Sequence, residues 1–203
     1  MLKIIIFDLS GVLFTNGLKI GVEIIHQKYK LNKDDLVELL NGQNSEDYRT
    51  GKQSSKDFWQ NIQDQLFLTD VEVEDIRNSW FDSYQIIPEM VEMLKKLKHL
   101  GVELYYLSDN PEDRAKFLDQ KYGFIELFDG GVFSFQAQSR KPSKKIFEYL
   151  LKQIDYSIDQ ILYLDDKESN LKPATELGLQ TYLFESNDGF AEYLEMKYKI
   201  YVT

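Results

Sequence analysis

Five short apolar runs, separated by segments with helical spacing, constrain the fold of this chain more than any other feature. Four of the runs contain few polar residues, and a weaker fifth spans residues 130–135. The four stronger runs cover residues 3–7, 102–107, 161–164 and 179–184. Apolar runs of this length are typical of strands that are covered on both faces. Because helical segments alternate with them, the sequence predicts a parallel α/β sheet.

Residues 15–85 interrupt this alternation with consecutive helical patterns. The patterns cover residues 21–29, 33–42, 54–67 and 72–84. Trp59 and Trp80 lie in this segment, and we expect both to fill its apolar interior. A helical insertion after the first strand predicts a cap over an α/β core. We therefore expect a core made of residues 1–14 and 86–203, with a helical cap at residues 15–85.

The balance of charge argues against one class of partner. The 203 residues include 34 Asp and Glu but only 24 Lys and Arg, a formal net charge of -10. Nucleic acids are bound through clustered Lys and Arg, so we expect no nucleic-acid partner. The chain has no cysteine, which excludes thiolate chemistry. Its N-terminal residues lack a signal-peptide pattern, and no apolar run could span a bilayer, so we expect a cytoplasmic protein with no membrane partner.

Polar residues stand where the predicted strands end. They are Asp8, Ser108, Asp109, Asn110, Asp165 and Asp166. The carboxyl ends of parallel strands meet at one edge of a sheet, where ligands bind. Clustered carboxylates resist burial unless a cation joins them, so we expect a hard, oxygen-preferring cation such as Mg²⁺. Together with Lys141 and a hydroxyl group, this cation would make a phosphate-binding site.

Four segments of the chain resemble, in order, the motifs of the haloacid dehalogenase (HAD) superfamily. They read IIIFDLSGVLF, LYYLSDN, RKP and ILYLDDKESN. The segment YRTGKQSSKDFW, which contains Arg49, resembles part of the cap in the phosphatase-like branch. The resemblance covers nearly the whole chain and implies a Rossmann-like parallel sheet with an inserted α-helical cap.

The resemblance implies catalytic roles for Asp8, Ser108 and Lys141. Asp8 would be the nucleophile, and its attack on phosphorus would form an aspartyl-phosphate. Ser108 would hydrogen-bond the phosphoryl group, and Lys141 would neutralise its charge. Asp109 and Asn110 would complete the substrate-binding set with these two residues.

The resemblance also implies a Mg²⁺ site. The side chains of Asp8 and Asp166 and the backbone carbonyl of Ser10 would be ligands. Asp165 would bind the metal mostly through water. Asn170, four residues after Asp166, would brace the metal-binding loop.

Two positions depart from the superfamily pattern. Most of its phosphatases have an Asp at the position of Ser10, which protonates the leaving alcohol and then activates water. A general acid contributes roughly 10²–10⁴-fold to the rate, so its absence predicts slow or substrate-restricted turnover. Asp109 stands where relatives often have Asn, and its carboxylate would either repel a phosphate dianion or act as a displaced acid.

The sequence favours a Mg²⁺-dependent phosphatase that acts on a small phosphorylated metabolite, and it leaves two alternatives open. Ser10 and Asp109 favour a binding or regulatory protein that keeps the metal pocket but has lost turnover. A dehalogenase of the same superfamily would tolerate the missing acid, because a halide leaves without protonation. Such an enzyme needs no metal, however, and the pair Asp165 and Asp166 indicates one.

Overall fold

A five-stranded sheet forms the centre of the structure, a computed structural model that describes residues 2–202 apart from the side chain of Asn44. The strands are β1 (Ile4–Phe7), β2 (Glu103–Ser108), β3 (Gly130–Phe133), β4 (Ile161–Asp165) and β5 (Gln180–Leu183). They pair in the order β3-β2-β1-β4-β5, and every neighbouring pair is parallel. The predicted parallel α/β fold is confirmed, with β1 in the middle of the sheet.

The helices form two groups. Those that follow β1, called the cap below, are α1 (Gly17–Tyr29), α2 (Lys33–Asn41), α3 (Glu46–Arg49), α4 (Ser55–Leu66) and α5 (Asp70–Asp82). Those of the core are α6 (Pro88–His99), α7 (Glu112–Tyr122), α8 (Ser134–Ala137), α9 (Lys144–Leu151), α10 (Glu168–Glu176) and α11 (Asn187–Tyr198). Within residues 2–202, no helix has both the length and the apolar character needed to cross a membrane.

Side chains cap the N-termini of four cap helices. At the start of α1, Asn16 accepts a hydrogen bond from the N–H of Lys19 at 3.3 Å. Asn32 accepts a hydrogen bond from a backbone N–H of α2 at 2.8 Å, and Ser54 accepts one from the N–H of Asp57 at 3.1 Å. Thr69 and Glu72 form a reciprocal capping box at the start of α5. Each such cap stabilises a helix by about 1 kcal/mol. The helical patterns of the sequence do not account for α3, because four residues are too few to show a helical period.

Both faces of the sheet are covered, which explains the unbroken apolar run of β1. Ile5 and Phe7 belong to a buried cluster that extends into the cap, whereas Ile4 and Ile6 belong to a second cluster on the opposite face. All four side chains are buried. Complete burial of an aliphatic or aromatic side chain contributes about 1.5–3 kcal/mol, so the central strand anchors both layers.

Aromatic side chains fill the interior of the cap. Trp59 and Trp80 are both buried, as the sequence predicts, and their ring centroids lie 5.9 Å apart in an edge-to-face contact. Trp59 also contacts the rings of Phe58 and Phe81. Such pairs contribute about 0.5–1.5 kcal/mol beyond their burial, so they stabilise the part of the shared apolar core that lies in the cap.

Two chain segments connect the cap to the core, and they run side by side. The N–H of Thr15 donates to the carbonyl of Gln85 at 2.9 Å, and the N–H of Ile87 donates to the carbonyl of Leu13 at 2.9 Å. An isolated antiparallel bridge lies between these two bonds. The first segment leaves the sheet just after β1, so the cap is attached at the edge where β1 ends. The exact division of the chain at residues 15–85 stays a prediction.

Candidate active site

The carboxyl ends of β1, β2 and β4 bring polar residues to one edge of the sheet. Asp8 follows β1, Ser108 ends β2 and Asp165 ends β4. Lys141 lies just before α9, and its Nζ is 2.7 Å from Asp8 Oδ1 and 2.8 Å from Asp165 Oδ2. All four residues are buried. A single ammonium therefore bridges carboxylates at the ends of two adjacent strands.

Asp8 is held in place through one of its two carboxylate oxygens. Its backbone N–H donates to the carbonyl of Leu164 at 2.9 Å. Its Oδ1 accepts a hydrogen bond from the N–H of Leu9 at 2.7 Å and also contacts Lys141. Burial raises the pKa of Asp8 to about 7, Lys141 opposes that rise, and Asp165 adds to it. Both contacts use Oδ1, so neither occupies Oδ2.

Asp165 receives hydrogen bonds from several donors at once. Asn170 Nδ2 lies 3.0 Å from both carboxylate oxygens, the N–H of Lys167 donates to Oδ1 at 2.9 Å, and the Tyr163 hydroxyl donates to Oδ2. Burial alone would raise the pKa of Asp165, but Lys141 and these donors hold it below its usual value. Asp165 is therefore a fixed anion. Because the protein already binds both of its oxygens, it suits an indirect contact with a metal better than a direct one.

Asp166, in contrast, has an unused ligand atom. Its Oδ1 is buried and has no hydrogen-bond partner among the described residues, and burial raises the pKa of this carboxyl. Gly11 has a φ of +87°, and a Cβ atom there would stand 2.4 Å from Asp166 Oδ2, so only glycine allows the loop after β1 to pass so close. Carboxylate oxygens of Asp8, Asp165 and Asp166 lie within 4.8 Å of one another. This donor set fits Mg²⁺, which Asp8, Asp166 and the carbonyl of Ser10 would hold.

A chain of hydrogen bonds fixes the direction of the Ser108 hydroxyl. Arg114 Nε donates to Asn110 Oδ1 at 2.6 Å, and Asn110 Nδ2 donates to Ser108 Oγ at 2.9 Å. Because an arginine can only donate, Asn110 has to turn its oxygen to Arg114 and its amide protons to Ser108. Ser108 Oγ is thus an acceptor in this chain, and its own proton is left to donate into the adjacent cavity.

The structure gives Asp109 and Asn110 different positions. Asp109 lines the cavity, but Asn110 lies behind Ser108 and is not part of the lining. The Asp109 carboxylate accepts hydrogen bonds from the backbone N–H of Lys141 at 3.1 Å and from Arg140 Nε at 3.5 Å. It therefore fastens the loop before α9 to the end of β2. These contacts suit a carboxylate acceptor and not a proton donor.

A cavity of about 680 Å³ lies between the cap and these strand ends. Asp8, Ser108 and Lys141 line its core side, while Val22 of α1 and Val37 of α2 line its cap side. The size is that of pockets which bind small molecules. The arrangement can place a small anionic ligand against the strand ends that carry Asp8 and Ser108 and cover it with the cap.

Three polar residues of the site carry little signal in the sequence. Arg140 lies in the motif that contains Lys141, and Tyr163 lies in the motif that contains Asp165. Both could have been found by considering every polar residue of those motifs. Arg114 lies in α7 among many other charged residues, and nothing in its spacing distinguishes it from a solvated side chain. Its role becomes visible only when folding brings Asn110 against it.

The model of the haloacid dehalogenase-like hydrolase family matches residues 2–178. The matched segment includes the cap, the first four strands and every acid of the site. The chain belongs to this family. Membership confirms the resemblance seen in the four motifs and identifies the chain as a HAD-family hydrolase.

Relatives of this HAD-family chain include named phosphatases. It is 28% identical over 177 residues to the sesquiterpene phosphatase astK of Aspergillus oryzae, covering 87% of each chain. It is 22% identical over 194 residues to the D-ribitol-5-phosphate phosphatase of Bacteroides thetaiotaomicron, covering 90% of this chain and 91% of the relative. A HAD family enzyme from the same bacterium, crystallised with magnesium and inorganic phosphate, superimposes with a TM-score of 0.76 at 21% identity, covering 95% of this chain and 99% of that one.

We expect Mg²⁺ to raise the melting temperature, because it binds the folded state. Burial raises the pKa of Asp8 and of Asp166, so the folded metal-free protein keeps protons that the unfolded chain releases, and Mg²⁺ must displace them. The increase should therefore be larger at about pH 7.5 than at about pH 5.5. Asp166→Ala should abolish it, whereas Asp155→Ala, an exposed acid before β4, should not. Thermal denaturation with Mg²⁺ or EDTA measures this, and an increase that survives Asp166→Ala would place the metal elsewhere.

Asn110→Asp should weaken the binding of inorganic phosphate by about tenfold or more, because the new carboxylate would accept the Ser108 proton and turn it away from the cavity. Isothermal titration calorimetry with Mg²⁺ measures the affinity. In a Ser108→Ala background the same substitution should cost much less. An equal loss in both backgrounds would mean that the added charge acts directly and not through Ser108.

Proposed function

We propose that this HAD-family hydrolase is a Mg²⁺-dependent phosphatase that acts on a small phosphoester through an aspartyl-phosphate on Asp8. The observation that carries the proposal is the placement of Asp8, which faces the cavity with Oδ1 held by Lys141 and by the N–H of Leu9. Its Oδ2 makes neither contact and is the oxygen available to attack. The printed names of two relatives, both phosphatases, agree with this chemistry.

In the first half of the proposed reaction, Asp8 Oδ2 attacks phosphorus and the ester oxygen leaves. Ser108 donates its hydroxyl proton to a phosphoryl oxygen as a hydrogen bond, and the Lys141 ammonium offsets the negative charge. Asp8, Asp166 and the carbonyl of Ser10 would hold Mg²⁺, which would supply positive charge to offset the negative charge of the phosphoryl oxygens. In the second half, water attacks the aspartyl-phosphate, which releases phosphate and restores Asp8.

Ser10 makes the leaving group the critical part of the substrate. A serine hydroxyl cannot replace a carboxylic acid as the proton donor to a departing alkoxide. Asp109 does not fill that role, because Arg140 and the N–H of Lys141 donate hydrogen bonds to its carboxylate. We therefore infer that the chain prefers substrates whose leaving groups are stable anions. The serine at position 10 is also the observation that favours the alternative of a binding protein without turnover.

Asp8→Asn should lower the hydrolysis of p-nitrophenyl phosphate by several orders of magnitude while the protein stays folded, because the amide is nearly isosteric but cannot attack phosphorus. Steady-state rates with Mg²⁺ and with EDTA measure this, and Asp155→Asn serves as a matched control at an exposed position. Activity of Asp8→Asn near that of the parent would move the nucleophile elsewhere. Turnover that is unchanged in EDTA would favour metal-free chemistry of the dehalogenase type, and a folded parent that turns over no phosphoester would favour the binding protein.

Ser10→Asp should speed the hydrolysis of a hexose phosphate by up to about 10²–10⁴-fold, because it restores a general acid and base. The gain should be smaller for p-nitrophenyl phosphate, whose leaving group is already a stable anion. Steady-state hydrolysis of both substrates by the parent and the variant makes the comparison. A parent that hydrolyses the hexose phosphate at ordinary enzyme rates, with no gain in the variant, would mean that another group supplies the proton.

A further inference from the structure

The cavity has the opposite charge balance to the chain as a whole. Among the described residues, seven Lys and Arg side chains but only three carboxylates line it, although Asp and Glu outnumber Lys and Arg by 34 to 24 overall. Three of these cations are arginines at the boundary between cap and core: Arg49, Arg114 and Arg140. Lys141 is already paired with Asp8 and Asp165 at the strand ends, so the arginines need a separate explanation.

Arg49 is a buried cation with neutral partners. It donates to the side-chain oxygen of Asn41 and, at 2.9 Å, to the backbone carbonyl of Asp109. Its Nε is buried and has no hydrogen-bond partner within residues 2–202. Burial, together with the charges of Arg140 and Arg114, lowers the pKa of Arg49 to about 9. A guanidinium that is buried and lacks an anion is costly, so this position calls for a counter-ion.

The neighbouring arginines are themselves cations and supply no counter-charge for Arg49. Arg114 is buried and donates to an amide oxygen, to the hydroxyl of Tyr84 and to a backbone carbonyl, all of them neutral. Arg140 does contact carboxylates, with Glu46 at 2.9 Å and Asp109 at 3.5 Å. Among the described residues, the three guanidinium groups therefore have two carboxylates as direct partners, and both of these contact Arg140. The remaining positive charge faces the cavity.

We propose that Arg49 and Arg140 form a second anion site, with Arg114 adding charge behind them, and that the substrate carries a carboxylate or a second phosphoryl group that binds there. This inference rests on the proposed function, because it concerns the same cavity. Guanidinium groups match the planar geometry of carboxylates and the oxygens of phosphates, which makes them suitable ligands for either group. The shared chemistry is a second oxyanion on a small phosphoester.

The position of the second site limits the length of the substrate. Arg49 contacts the carbonyl of Asp109, the residue that directly follows Ser108. Consecutive Cα atoms are about 3.8 Å apart, so the second site adjoins the phosphoryl site. We therefore expect the two anionic groups of the substrate to be separated by only a few bonds.

Non-hydrolysable phosphonates test the second site independently of turnover. Ethylphosphonate carries one anionic group, phosphonoacetate adds a carboxylate, and methylenediphosphonate adds a phosphoryl group. In calorimetric titrations at fixed free Mg²⁺, at least one of the two-anion ligands should bind about tenfold or more tightly than ethylphosphonate. The tighter of the two identifies which oxyanion the site takes.

Arg49→Met should remove this gain and leave the affinity for ethylphosphonate within about twofold, because only the second anion depends on it. Arg49→Gln should give the same result, because its amide can still donate to the carbonyl of Asp109 but carries no charge, which covers the case that Arg49→Met does not fold. Arg77→Met is the matched control, since it removes a cation of α5 that does not line the cavity.

Equal affinity of the parent for all three phosphonates, or equal loss for all three in both cavity variants, would overturn the second site and leave the proposed phosphatase intact. Failure to bind any phosphonate, together with no hydrolysis of any phosphoester, would overturn the proposed function and the second site with it.

Discussion

One buried ammonium group holds the catalytic edge of this protein together. Lys141 lies between Asp8 and Asp165, which follow and end adjacent strands, and all three side chains are almost completely enclosed. Burial alone would lower the pKa of Lys141, but the two carboxylates raise it above its usual range. Removing one partner from such a buried set typically costs about 3–5 kcal/mol. The ends of β1 and β4 and the loop before α9 therefore depend on one another through this lysine.

Much of the core could be predicted from the chain alone. A strand that is buried on both faces has no polar alternation, so β1 stands out as a continuous run, and Asp8 marks where the apolar run ends. Lys141 is a different case, because no local pattern connects it to Asp8, and only the order of motifs places it in the site. The direction of the Ser108 hydroxyl could not be predicted, since it depends on a donor from α7 that folding brings into contact.

The site combines few proton donors with much fixed positive charge. Ser10 stands where most phosphatases of the superfamily have the acid that protonates the leaving group. The Asp109 carboxylate accepts hydrogen bonds from the loop before α9. Arginines at the boundary between cap and core line the same cavity. Fixed cations in an enclosed site can stabilise developing negative charge without transferring a proton. On the proposed function, electrostatic stabilisation would then carry a larger share of the barrier reduction than proton transfer does.

The paired connections near Thr15 and Gln85 also bear on how such a chain can change over evolutionary time. They bring the two ends of the helical insertion next to each other. The cap can therefore be treated as a loop whose two ends the core holds together. The entropy of closing a loop grows only with the logarithm of its length, and doubling it costs about 0.6 kcal/mol. Lengthening or shortening the insertion at this point therefore adds little to the entropy of closing it. The residues at the sheet edge and the residues of the cap can therefore diverge at different rates.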